Sequence, residues 1–197
     1  MTARIEPLSE PYPPEVAERL AALMPGGREP IRLFRTLVRN QPLAAGLNAW
    51  GAYYLSRQLS LSLRERELII DRTTARCGCD YEWGVHIATY GERAGLTAAQ
   101  VSSLADGFPT DPCWSQHDAV LLEAVDALHD TATVDDRLWP RLAAEFTEAQ
   151  LLDLFLLAGW YHAISFAANA ARIAQEDWAP PLARPSPAAS SETDPSI

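Results

Sequence analysis

Apolar residues along this chain recur at three- and four-residue intervals, and no segment alternates over the length of a strand. The breaks between the periodic segments are helix punctuation. Pro14 opens a helix to about Met24, with Gly26 and Gly27 behind it, and Pro30 opens another that ends near Asn40. Pro42 starts a third, to about Leu59. Ser62-Leu63-Arg64-Glu65 reads as a capping box for a helix over 63–76, which Cys77-Gly78 breaks. The next helix spans 80–94 and closes at Gly95. A second capping box, Thr97 to Gln100, starts a short helix ending at Gly107, and 108–114 is a loop with two prolines. Ser115 caps a helix to about His129, Asp135 one to about Glu145, and Thr147 to Gln150 a long apolar one to about Asp177. The pattern predicts an all-α helical bundle. Residues 1–13 form an N-terminal arm, 14–178 a single helical domain, and 179–197 a Pro/Ser/Ala-rich tail expected to be disordered.

Composition narrows the function. Hydrophobic residues are 48% of 197, enough for a sizeable core. The net charge of -10 argues against nucleic acid and against an anionic membrane surface as partners. The first residues lack the apolar segment of a secretory signal. The most apolar run, Leu151 to Ala171, contains Asp153, His162 and Asn169, so it is expected to be a buried helix rather than a lipid-facing span. Three cysteines, two of them nearly adjacent, do not make a disulfide framework, and a cytoplasmic location is expected. His117 and His129 fall on a polar helix and are expected to be solvated. Tyr161, His162 and Asn169 need partners if buried, and backbone or subunit contacts are the favoured reading over a pocket role.

The chemistry concentrates in 64–95. Cys79, Glu82 and His86 are spaced by three and four residues, which puts a thiol, a carboxylate and an imidazole on one helical stripe with Val85, Ala88 and Thr89 nearby. The helix start favours negative charge, so it can lower the Cys79 pKa or bind an anionic group. Glu82 can orient His86 and raise its pKa. Each feature also has an ordinary reading. Glu and His four apart are common on solvated helices, free cysteines are usually small buried hydrophobes, and Tyr81 and Trp83 fit a core or an interface. A zinc site at Cys79, Glu82 and His86 is poorly supported, because no second metal motif is present, and neither metal nor cofactor is expected.

The stretch RERELIIDRTTARCGCDYEWGVH resembles the core of the carboxymuconolactone decarboxylase and alkylhydroperoxidase D family. The resemblance spans roughly 40–178 and is specific in 64–95. Members carry a Glu on one helix, a break, then Cys-x-x-Cys-x-x-x-His on the next. Matched on the His, Glu67 falls on the relay Glu, Cys79 on the first Cys and His86 on the final His. Glu82 stands where the second Cys would be, and Tyr81 where peroxidase members carry a further His. This form is similar to the decarboxylase branch. It implies an alkylhydroperoxidase D-like fold, a small-molecule substrate and a homo-oligomer, trimer or hexamer, which the apolar 148–177 helix would suit.

The expected activity is a cofactor-independent decarboxylation, or a related lyase reaction, of a small carboxylated lactone or similar conjugated acid. His86 would be the proton donor, Glu67 and Glu82 its partners, and Cys79 a further catalytic residue. Tyr81, Arg72 and Arg76 are candidate substrate-binding residues, the arginines as bidentate carboxylate holders unless they serve ordinary ion pairs. Two alternatives stay open: a thiol peroxidase using Cys79, with Cys77 as a strained resolving partner and Cys113 in a distant loop, and a non-catalytic binding protein of the same fold.

Overall fold

A computed structural model describes residues 2–24 and 28–183. The expected chain stop at Gly26 and Gly27, and most of the expected disordered tail, lie outside the described residues. The helices, in chain order, are α1 Pro14–Leu23, α2 Arg32–Leu37, α3 Gln41–Tyr54, α4 Leu63–Arg76, α5 Asp80–His86, α6 Ala98–Asp106, α7 Gln116–Thr131, α8 Trp139–Glu145 and α9 Glu148–Ala171. No strand occurs among the described residues. All three capping boxes form: the Ser62, Thr97 and Thr147 side chains accept from backbone N–H groups three residues on, and Glu65, Gln100 and Gln150 reach back.

The break after α4 is a Schellman turn. Gly78 sits in the left-handed region at φ 58, Cys79 N–H donates to Thr74 O at 2.9 Å and Gly78 N–H to Ala75 O at 2.9 Å. The orphan carbonyl of Cys77 is taken by the Asn169 side-chain amide at 3.0 Å. That turn folds α5 back along α4.

Three helix ends depart from the punctuation, the first being α3, which stops at Tyr54 rather than near Leu59. The expected helix over 80–94 changes to a π-helical turn at Ile87–Gly91. One extra residue in that turn rotates the chain beyond it, a step that a 3.6-residue count does not register. The last helix stops at Ala171 rather than near Asp177, because Arg172 turns left-handed at φ 53 and Ile173 N–H bonds back to Ala168 O. A non-glycine residue there costs roughly 1–2 kcal/mol, and nothing in the local residue types announces it. The segment after it runs back over α5, with Pro180 O and Gln175 lying where a Cβ on Gly84 would have to go.

The helix α4 is the hub, packed on α5, α6, α7 and α9. Its Leu68, Ile69 and Ile70 are fully buried, as are Leu121, Leu142, Leu154 and Leu157 around them. A second, smaller cluster of Val16, Leu20, Val38 and Ala44 joins α1 to α2 and α3. By length and composition α9 could cross a bilayer, but 56% of its most apolar window is buried against the other helices. It is the core helix the polar residues within it suggest.

Candidate active site

The antiparallel α4–α5 pair brings Glu67 and His86 together. The His86 Nδ1 and Glu67 Oε2 atoms are 2.8 Å apart, and Glu67 is fully buried. Its other oxygen accepts from Arg66 Nε at 2.7 Å. Helix α9 supplies the third member: Tyr161 OH lies 2.9 Å from His86 Nε2. Burial pushes the Tyr161 phenol well above its ordinary range, so it keeps its proton. A phenol that keeps its proton can donate to a bare Nε2, and a carboxylate can only accept. The neutral ring therefore carries its proton on Nδ1, toward Glu67.

Glu82 shares this side. Its Oε2 is 3.8 Å from His86 Nε2, beyond a hydrogen bond, and its Oε1 is buried without a partner. Burial raises its pKa, and the His86 charge opposes that in part. So Glu67, rather than Glu82, orients the imidazole. One turn below Glu67, Asp71 is fully buried with neither carboxylate oxygen paired. Burial first and the Glu67 charge second push its pKa well up.

Glu82, His86 and Tyr161 face a cavity of about 1400 Å³. Tyr54, Tyr90 and Trp160 are among its aromatic walls, and Arg93, also on the wall, lies 5.5 Å from the Tyr90 ring centroid. The π-helical turn puts Ala88, Thr89 and Tyr90 on the same cavity as His86. Such turns are frequent at functional sites.

Several expected residues sit elsewhere. Cys79 is fully buried and does not line the cavity. Burial pushes its thiol up to about 11, outweighing the backbone N–H of Glu82 that lowers it. The anticipated helix-start activation of this thiol is therefore absent. All three cysteines are free, so Cys77 and Cys79 are not bridged. Tyr81 turns inward, donating to Glu176 at 2.7 Å and accepting from Leu33 N–H at 2.9 Å, and so ties α5 to α2 and to the segment after α9.

Arg72 and Arg76 do not reach the cavity either. Arg72 makes a two-pronged pair with Asp126, both contacts at 2.7 Å, and caps three carbonyls at the end of α6. Arg76 pairs with Asp126 and Asp130. Both arginines serve α7, since an arginine buried beside an aspartate is held by it. His117 and His129 are not simply solvated: His117 bridges Glu65 and Glu145, and His129 meets His162. Tyr161, for which backbone or subunit contacts are the favoured sequence reading, instead belongs to the site. Its only signal in the sequence is a polar residue in an apolar helix. Trp160, Tyr90 and Arg93 carry no signal of their own.

The all-helical bundle has an alkylhydroperoxidase D-like fold. Residues 42–107, which carry Glu67, Cys79, Glu82 and His86, match the model of the carboxymuconolactone decarboxylase family. Among solved structures, the chain is similar to an alkylhydroperoxidase AhpD core, a peroxidase-related protein from Ralstonia eutropha JMP134, at 16% identity and a TM-score of 0.74, covering 89% of this chain and 95% of that one. A peroxidase-related protein from Silicibacter sp. TM1040 matches at 16% identity and TM-score 0.74, over 87% of this chain and 90% of that one. A cysteine-to-alanine variant of the debrominase Bmp8, in complex with 2,3,4-tribromopyrrole, matches at 14% identity and TM-score 0.73, over 90% and 94%. At these identities the likeness is one of fold. No curated protein matches the chain.

Proposed function

We propose that this protein is a proton-transfer enzyme of the lyase type, a cofactor-independent decarboxylase of a small conjugated acid, with His86 as the proton donor. The observation that carries this reading is His86 held between Glu67 and Tyr161 on the cavity wall while the Cys79 thiol is buried behind it. Protonated on both nitrogens, His86 gives Nδ1–H to Glu67 and Nε2–H to the Tyr161 oxygen, a contact that a substrate carbon at the cavity wall would replace. Glu67 holds the ring and stabilises the imidazolium, as a carboxylate behind a catalytic histidine does. Loss of carbon dioxide from a bound acid leaves an electron pair in the conjugated system, and Nε2–H supplies the proton that quenches it. Glu82, beside Nε2 and free of hydrogen bonds at Oε1, is placed to return that proton.

The aromatic walls suit a flat, conjugated ligand. The debrominase relative binds a ring of that kind, which is consistent with the choice. Arg93 is one of the arginines on the cavity wall, with Arg28, Arg32 and Arg35, and we assign it the substrate carboxylate; Arg72 and Arg76 are committed to α7.

A purified-protein screen separates this from thiol chemistry. Carbon dioxide release from carboxylated lactones and related conjugated acids is measured beside peroxide consumption with a dithiol reductant. Release that disappears in a folded His86→Ala variant supports the reading. Peroxide turnover that disappears in Cys79→Ser, with no acid decarboxylated, overturns it.

A further inference from the structure

The break between α4 and α5 carries a second group of side chains, on the far side from the cavity. Cys77 at the end of α4, His129 in the last turn of α7 and His162 in the middle of α9 converge there, and none of the three lines the cavity. One ligand-type atom from each lies within 4.8 Å of the others, and all three residues are half-buried. We propose that Cys77, His129 and His162 form a site for one zinc-class divalent cation, with a fourth position open to water.

The hydrogen bonds around the histidines set the geometry. His162 Nδ1 lies 2.8 Å from Ala158 O. A carbonyl only accepts, so Nδ1 carries the ring proton and Nε2 is bare when the ring is neutral. A ligating histidine is usually oriented this way, its second nitrogen donating to a backbone carbonyl. That bare Nε2 lies 2.9 Å from His129 Nδ1. Without metal, His129 Nδ1–H donates across the gap. With metal, the His129 proton moves to Nε2 through solvent, and both lone pairs turn to the ion.

Two imidazoles and a thiolate on a tetrahedral zinc stand roughly 3.3–3.6 Å from one another, given bond lengths of about 2.0–2.3 Å. The observed separations bracket that range, so the two rings need to part by only a few tenths of an ångström. Nitrogen and sulfur donors favour zinc and its neighbours over magnesium or calcium.

The surroundings suit a cation. The carbonyl ends of α4 and α7 face the site, and their dipoles are negative there. Asp126 and Asp130 sit near His129, and Arg76, which also acts on that ring, is paired with both of them. Cys77 binds as the thiolate, so the ion must displace its proton. The balance is one zinc in, one thiol proton out to solvent, and one sulfur–zinc bond formed.

The test uses the full chain, stripped with chelator and titrated with zinc and with cobalt. Expected is one ion per chain and, with cobalt, a thiolate charge-transfer band with the intense visible bands of a tetrahedral centre. Cys77→Ser and His162→Gln should each weaken binding by more than the roughly 10–100-fold typical of losing an outer-shell partner. Cys113→Ser and His86→Gln should bind like wild type. No binding, binding unchanged in Cys77→Ser, or binding lost in His86→Gln instead overturns the proposal. If circular dichroism shows that Cys77→Ser does not fold, alkylation of the wild-type protein decides. Zinc protection of Cys77 supports the site, and alkylation at an unchanged rate overturns it.

Discussion

Glu67→Gln keeps the size of the side chain and removes one accepting oxygen. In the native arrangement both oxygens are used, Oε2 by His86 Nδ1–H at 2.8 Å and Oε1 by Arg66 Nε–H at 2.7 Å. A glutamine has a single oxygen. If it faces Arg66, the amide NH₂ meets Nδ1, and His86 must switch its proton to Nε2. If it faces His86, NH₂ meets the guanidinium, donor against donor. Arg66 is itself buried, with a long 3.4 Å contact to Tyr54 O and the Tyr90 ring 4.8 Å from its guanidinium carbon as its other support. Losing one charge-assisted hydrogen bond costs about 1.5–3 kcal/mol, and breaking a buried ion pair about 3–5 kcal/mol. The second figure includes a stranded charge, which Tyr90 partly relieves, so the loss should be about 3 kcal/mol. Against a total of roughly 5–15 kcal/mol the variant still folds. Urea unfolding measures the loss, and ¹⁵N shifts of the His86 ring report the tautomer. On the proposed reading, turnover falls roughly 10²–10⁴-fold with the wrong tautomer. Stability within about 1 kcal/mol of wild type, with the proton still on Nδ1, would refute the reasoning.

Cys79→Ser should keep most of the activity, because the thiol is off the cavity and pushed up to about 11; loss of turnover in the folded variant would reinstate it as a nucleophile. Asp71 has a raised pKa in the folded chain, so it favours folding below the unfolded carboxylate range near 3.9 and that favour is lost as pH rises through the folded value. Asp71→Asn should therefore gain on wild type above about pH 4, by up to about 1.4 kcal/mol per pH unit; thermal melts with a pH-independent difference would contradict this. Leu152, Leu156 and Phe166 are 62%, 53% and 64% exposed on α9, and a homo-oligomer is expected to cover them. Light scattering at micromolar concentration should give a mass above the 21.7 kDa chain, and the monomer mass would count against it.

The helices are legible in the sequence because their starts are written in short-range chemistry. The Ser62, Thr97 and Thr147 boxes each involve four consecutive residues, and all form. Ends without glycine are legible only in part: α8 closes at Glu145 as the pattern places it, but α9 closes early at Arg172, which turns left-handed because tertiary packing outweighs the local preference. The Glu67–His86 pair is legible because the Cys77-Gly78 break, a local signal, sets two helix lengths against each other. About ten residues on one side and eight on the other give roughly 15 and 12 Å of rise, so both side chains reach similar depth. Arg72 and Arg76 go to α7 because Asp126 and Asp130 lie 54 residues on from each, a distance over which spacing carries no information. Tyr161 reads as structural in the sequence for the same reason: its partner, His86, is 75 residues away.

The carboxyl at position 82 bears on which chemistry the cavity can run. A thiol there would face Cys79 across one helical turn and could close a disulfide. Glu82 cannot, and its own surroundings favour the protonated form, since Oε1 is buried unpaired and burial raises its pKa. The imidazole 3.8 Å away pulls in the other direction, because a charged His86 favours a charged Glu82. Moving a proton from His86 to Glu82 exchanges an ion pair for a neutral pair. A substrate carboxylate brought into the same wall adds a third anionic group. Its departure as neutral carbon dioxide removes that charge from a poorly hydrated pocket, while the proton on Nε2 is already at the face where the carbanion forms. On this account Glu82→Gln freezes one partner neutral. The pH dependence of kcat should then lose one ionisation, that of Glu82, from the two of the wild type. A two-ionisation profile retained in Glu82→Gln would mean that the second group is elsewhere and that Glu82 is only a buried acid beside the site.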